Sequence, residues 1–124
     1  MKTEPNNSIR QTPSVLRRFA RSPMNSLQKL QAWYLSACNG DWEHSSGVTI
    51  GTLDNPGWSF TVDLMGTSLE GKQFTTRRHG VGEGASPEGI DWIYCEVENN
   101  QFCGHGGPEK LEELIQIFLA WAQE

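Results

Sequence analysis

The chain has 124 residues, of which 36% are hydrophobic and 20% charged, and its formal net charge is −5. That length suits one domain, which buries roughly 65% of its unfolded surface around a single core. No apolar run approaches the ~18 residues of a membrane span and no apolar segment follows the N-terminal charges, so neither an anchor nor a secretory signal is expected and the chain reads as cytoplasmic.

Three cysteines, Cys38, Cys95 and Cys103, make an odd count without CxxC spacing. This argues against a disulfide framework and predicts free thiols in a reducing compartment. Charge is unevenly placed: Lys2, Arg10, Arg17, Arg18 and Arg21 face only Glu4 before Met24, a net +4 that leaves −9 on the remainder. A folded part this acidic is repelled by nucleic acid and attracted to basic proteins.

Residues 1–23 hold Pro5, Pro13 and Pro23, with Val15, Leu16 and Phe19 as their clustered bulky apolar side chains. No core can be built from these, so the segment is expected to be a basic disordered tail. An organelle presequence and an extension ahead of a natural start at Met24 are the other readings. Residues 24–124 are assigned to a single domain.

Asn25 and Ser26 can cap a helix over about 26–38, whose Leu27, Leu30, Tyr34 and Ala37/Cys38 recur at helical spacing with Trp33 widening the apolar face. Gly40 supplies its left-handed stop. Val48, Ile50 and Thr52, then Trp58, Phe60, Val62 and Leu64, alternate on either side of Asp54-Asn55-Pro56-Gly57, predicting a hairpin. Pairing Thr52 with Trp58, Ile50 with Phe60 and Val48 with Val62 places every large apolar side chain on one face; a one-residue slip would scatter them.

Phe74-Thr75-Thr76 predicts a short third strand ending at Arg77-Arg78-His79, and Gly80, Gly82, Gly84 and Gly89 predict a mobile loop. Trp92–Val97 predicts a strand and Phe102–Gly104 a last short one. A two-residue turn at Asn99-Asn100 sets Val97 opposite Phe102 and Glu96 opposite Cys103, so Cys95 and Cys103 point to opposite faces. Gly106-Gly107-Pro108 opens the last helix, with Glu109, Glu112 and Glu113 near its positive end. The stripe Leu111, Leu114, Ile115, Phe118, Leu119, Trp121 and Ala122 must then pack on the apolar sheet face. The fold class expected is α+β: an antiparallel sheet of four to five strands covered on one face by an N-terminal and a C-terminal helix.

Cys38 or Cys103 as nucleophile with His44 or His105 as base would make a small cysteine enzyme, and the same four residues have the ligand types of a zinc site. However, Cys-x5-His and Cys-x-His are not finger or ribbon spacings, and Cys38 falls on the apolar side of the first helix, where a structural thiol is usual. The glycine-rich loop after Arg77-Arg78 lacks the lysine and following helix of a phosphate cradle. Asp41, Trp42 and Glu43 pair two carboxylates around an aromatic. Two readings of Trp42 stand: an interface anchor, or a core residue tucked under the helix.

The blocks Trp33-Tyr34 before Cys38-Asn39-Gly40-Asp41-Trp42-Glu43-His44, Thr52-Leu53-Asp54-Asn55-Pro56-Gly57-Trp58, and Gly106-Gly107-Pro108 before the closing helix occur in order between about Ser26 and Ala122. Together they resemble the immunity protein 53 family of bacterial polymorphic toxin systems. The resemblance implies a small cytoplasmic inhibitor, without cofactor, metal or catalytic residues, that binds a cognate toxin and neither nucleic acid nor membrane. Asp41, Trp42, Glu43 and His44, with Asp63 and Glu96 from the polar sheet face, are the expected partner-binding residues. An enzyme using Cys38/Cys103 and His44/His105, and an interaction module unrelated to toxins, are the competing classes.

Overall fold

A computed structural model describes residues 23–82 and 89–124. The expected basic tail, except Pro23, and residues 83–88 of the glycine-rich loop lie outside the described residues. The elements in chain order are α1 (Ser26–Ala37), α2 (Trp42–Ser45), β1 (Val48–Leu53), β2 (Gly57–Asp63), β3 (Arg77–His79), β4 (Ile93–Glu98), β5 (Gln101–Gly106) and α3 (Leu111–Ala122). All strand pairs are antiparallel, in the order β1-β2-β5-β4-β3. The result is the α+β class that the residue pattern predicts, with five strands.

Alternation decides which face is which. The β1–β2 register sets Val48 opposite Val62, Ile50 opposite Phe60 and Thr52 opposite Trp58, as the apolar pattern requires. At the other hairpin Asn99 and Asn100 adopt φ of 55° and 59°. Two consecutive left-handed residues form the turn that matches strand twist, so Val97 meets Phe102 and Glu96 meets Cys103. Cys95 is thereby buried on the inner face while Cys103 stands half-buried on the outer one, and all three thiols are free.

On the inner face Phe60 and Phe102 meet Phe118 of α3, all three fully buried, with ring centroids 5.8, 5.8 and 5.2 Å apart. Gly104, beside Phe102 on β5, is what lets α3 approach: a Cβ there would crowd the Phe102 ring and Leu114, at 3.3 and 3.4 Å. α3 lies over β2 and β5, and α1 packs chiefly on α3. Trp33 joins the layers, its ring edge-on to Phe118 at 4.9 Å. α1 itself begins in a capping box, Asn25 accepting from Gln28 N while Gln28 accepts from Asn25 N.

Four expectations need correction. The third strand covers Arg77–His79 rather than beginning at Phe74. Phe74 instead sets its ring edge-on to Phe102 and Trp121, and Trp121 Nε1 donates to Gln73 O (2.7 Å), so this backbone crosses the end of α3 before it can join the sheet. α3 begins at Leu111, because Gly107–Lys110 form a turn and Pro108 O accepts from Trp58 Nε1 (2.9 Å). The last strand is longer than Phe102–Gly104, running from Gln101 to Gly106 and taking in His105. Cys38 is half-buried at the C-cap of α1, where its Sγ donates to Tyr34 O (3.3 Å), and it lies outside the core cluster.

Replacing Phe102 by Ala would leave a void bordered by Phe60, Phe74, Phe118 and Trp121. The expected loss is about 3–5 kcal/mol of unfolding free energy, measured by urea denaturation.

Candidate functional site

Among the described residues no helix covers the outer face of the sheet. Thr61, Cys103 and Glu96 stand in one cross-strand row, Asp63, Gln101 and Glu98 in the next, and Ser59, His105, Tyr94 and Arg78 in a third. Asp63 and Glu96 therefore share this face, as the alternation predicts, two strand spacings across and one row along, or ~12 Å apart. Glu98, Tyr94, Arg78, His105 and Gln101 join them. Tyr94 and Glu98 could have been found by extending the alternation Ile93, Cys95, Val97 to its polar partners. Arg78 needed the pairing of β3 with β4, which no local signal carries.

Polar side chains on this face are linked. Tyr94 OH donates to Glu96 Oε1 (3.1 Å), and the Arg78 guanidinium lies 5.6 Å above the Tyr94 ring. The hydrogen bond to Glu96 and that carboxylate's charge hold the Tyr94 phenol above its ordinary pKa. Cys103 Sγ points to the Gln101 side-chain oxygen (3.5 Å) and Gln101 O (3.8 Å). Its thiol is pushed up by burial and then by Glu96, Glu98 and Asp63. This is the opposite of an activated thiolate, which needs a cationic surrounding. Cys95 is pushed up to about 12 by burial.

Asp63 is a junction. Its Oδ2 accepts from Gly47 N (2.9 Å), its Oδ1 from Gln101 Nε2 (2.9 Å) and its backbone O from Trp42 Nε1 (3.2 Å). One residue thus ties the loop after α1 to the start of β1 and to β5. The structure brings Asp41–His44 to the Asp63 end of the sheet by this route.

Within that loop the expected residues separate into two kinds. Trp42 is 3% exposed, with its ring 5.8 Å from those of Trp33 and Tyr34. It is core, and the reading of Trp42 as an exposed interface anchor is corrected: the indole is covered by α1 and its polar edge is spent on Asp63. Glu43 is half-buried and accepts from Asn39 N (2.9 Å) and Gly40 N (2.7 Å), while Asn39 Oδ1 accepts from Asp41 N and Trp42 N (2.9 and 3.0 Å). Gly40, at φ +95°, makes the reversal that brings these two side chains across each other. Backbone donors, from Glu43 itself and from Asn39 and Gly40, hold the Glu43 carboxyl below its ordinary pKa. Asp41 and His44 are exposed.

The four residues of the enzyme alternative come from three elements. Cys38 caps α1, His44 lies in α2, and Cys103 and His105 lie on β5. Among the described residues no group of three or more His, Cys, Asp or Glu side chains is arranged to hold a metal ion. No helix among them is long and apolar enough to cross a membrane.

The geometry defines a two-layer α+β protein with one helix-covered face and one open, carboxylate-bearing sheet face. The family model described as Immunity protein 53 matches residues 27–123, and the chain belongs to that family. No curated protein and no solved structure matches it.

Two measurements test the loop. Trp42→Ala is expected to cost about 3–5 kcal/mol in chemical denaturation, whereas Asp41→Ala and His44→Ala should stay within about 0.5 kcal/mol. Because the folded-state pKa of Glu43 is lowered, its contribution is present above the ordinary carboxyl range and lost as pH falls through the lowered value. Glu43→Gln should therefore lower the thermal midpoint at neutral pH, with the difference from the native chain vanishing well below pH ~4.

Proposed function

We propose that this immunity-family chain neutralises a cognate toxin domain by binding it, without catalysis, through the sheet face opposite α1 and α3 and its Asp63 rim. The observation that carries this reading is the placement of Asp63, Glu96 and Glu98 on the one sheet face that α1 and α3 leave open. Exposed Asp41 and His44 extend the surface at the loop. Glu43 and Trp42 support it from beneath by fixing the loop's shape.

A partner suited to such a face is basic, and the active-site surface of a nuclease is the class it fits best. Carboxylates arrayed on a rigid sheet can occupy a cleft built for phosphates, and long-range attraction between opposite potentials raises the association rate. The −9 carried by residues 24–124 supports the same polarity. A cytoplasmic site of action follows from this role.

The test is binding to a candidate toxin domain taken from the neighbouring genes, measured by surface plasmon resonance at two salt concentrations. Glu96→Lys with Glu98→Lys should weaken binding by on the order of tenfold or more, chiefly through a slower association rate, and should flatten its salt dependence. Glu109→Lys, placed just before α3 on the helix layer, should change it little. Unaltered affinity in the folded double variant would assign the toxin to another surface.

A further inference from the structure

The outer edge of β1 is not used by the toxin-binding reading. Among the described elements β1 pairs with β2 alone and borders the sheet. Asp63 N donates to Gly47 O (3.0 Å), one step beyond the Val48–Val62 pair. Backbone groups alternate sides along an antiparallel strand. Thr49, Gly51 and Leu53 therefore turn their N–H and C=O toward β2, and Val48, Ile50 and Thr52 turn theirs outward. The neighbouring strand agrees: Leu64 N donates to Asn100 O (2.9 Å), so the even-numbered residues of β2 face β5.

Proteins usually guard such an edge with lysine, proline, a bulge or brevity. β1 has none of these. Its six residues, VTIGTL, carry no charge and no proline and keep an unbroken register. Ile50, on the helix-side face, is 40% exposed. In a chain of net charge −5, this strand is also a place where two copies can meet without setting carboxylate against carboxylate.

We propose that β1 pairs antiparallel with β1 of a second copy about a two-fold axis at Ile50, joining two five-stranded sheets into one. The outward groups choose the register. With Ile50 opposite its symmetry mate and Val48 opposite Thr52, all three outward-facing residues form hydrogen-bonded pairs. An axis at Thr49 or Gly51 uses only two of the three per copy, and an axis between residues sets outward groups against inward ones. The strand suits its own reversal: β-branched Val48 and Thr52 flank the centre on the same face, and the two Ile50 side chains cover each other, with Cα atoms about 5.5 Å apart. The outer sheet face stays open, so dimer formation and toxin binding are independent.

The test uses the full-length chain in sedimentation velocity over a wide concentration range, with hydrogen exchange on the same samples. The native chain should form dimers in which the Val48, Ile50 and Thr52 amides are protected, and dilution should release that protection. Ile50→Lys should be monomeric. Thr52→Pro removes one outward donor and no bond of the β1–β2 ladder, and should weaken the dimer roughly tenfold or more. Thr49→Lys, on the outer face, should leave it intact. Should Thr52→Pro fail to fold, Ile50→Lys decides, since the side chain it replaces is partly exposed. A native chain monomeric throughout, a dimer surviving Ile50→Lys or abolished by Thr49→Lys, or amide protection independent of concentration would overturn the proposal.

Discussion

The contact on which the rest of the molecule depends is the triangle of Phe60, Phe102 and Phe118. Two rings come from neighbouring central strands and the third from α3, and none is exposed. Edge-to-face packing at these separations is more directional than aliphatic burial, so it fixes how α3 lies on the sheet as well as that it does. Trp33 and Phe74 attach to this triangle from two further segments, and Trp121 from the last turn of α3 itself. Once it is formed, one sheet face is committed to helices. The opposite face, with Thr61, Asp63, Glu96, Glu98 and His105, is left to solvent or to a partner.

Asp63 connects that commitment to the surface. It ends β2, one residue beyond buried Val62, and its side chain and carbonyl hold Gly47, Gln101 and Trp42. The loop Asn39–Ser46 is consequently not a free appendage. Asn39 and Glu43 satisfy backbone donors within it, and Trp42 is driven under α1. Carboxylates that look alike in the chain thus have different tasks. Glu43 shapes the loop, Asp63 joins elements, and Glu96 and Glu98 set the potential of the open face. Burial first, and then Glu96, Glu98 and Asp63, push the Cys103 thiol above its ordinary pKa, so a nucleophilic reading of this face finds no support in its electrostatics.

Much of this was legible from local pattern. Period-two alternation in Val48–Thr52 and Trp58–Leu64 is enough to set the hairpin register, because any slip would turn Phe60 and Val62 to water. The Asn99-Asn100 turn and the opposite orientations of Cys95 and Cys103 follow from backbone preferences of single residues and from the strand period, whereas α1 ends in extended backbone at Cys38, two residues before the expected stop at Gly40. The stripe of the closing helix is likewise plain. Asp63 and Glu96 fall on the open face by the same alternation, and the family assignment agrees with the ordered blocks of residues that resemble it.

Trp42, Phe74 and His105 were not settled in this way, and the reason is common to all three. An aromatic between two carboxylates has the same local signature whether a helix folds over it or not; only the approach of α1 and the carbonyl of Asp63 put Trp42 inside. Phe74 has the look of a strand residue, yet its ring is claimed by Phe102 and Trp121, which are 28 and 47 positions away in the chain. His105 becomes a strand residue because Ser59 and Tyr94 stand on either side of it. By itself the sequence determined the registers of the two hairpins and the faces of their strands, since these depend on side-chain period and on single backbone conformations. Which polar residues remain available at the surface was decided only by tertiary structure, because burial and hydrogen-bond partners arise between segments distant in the chain.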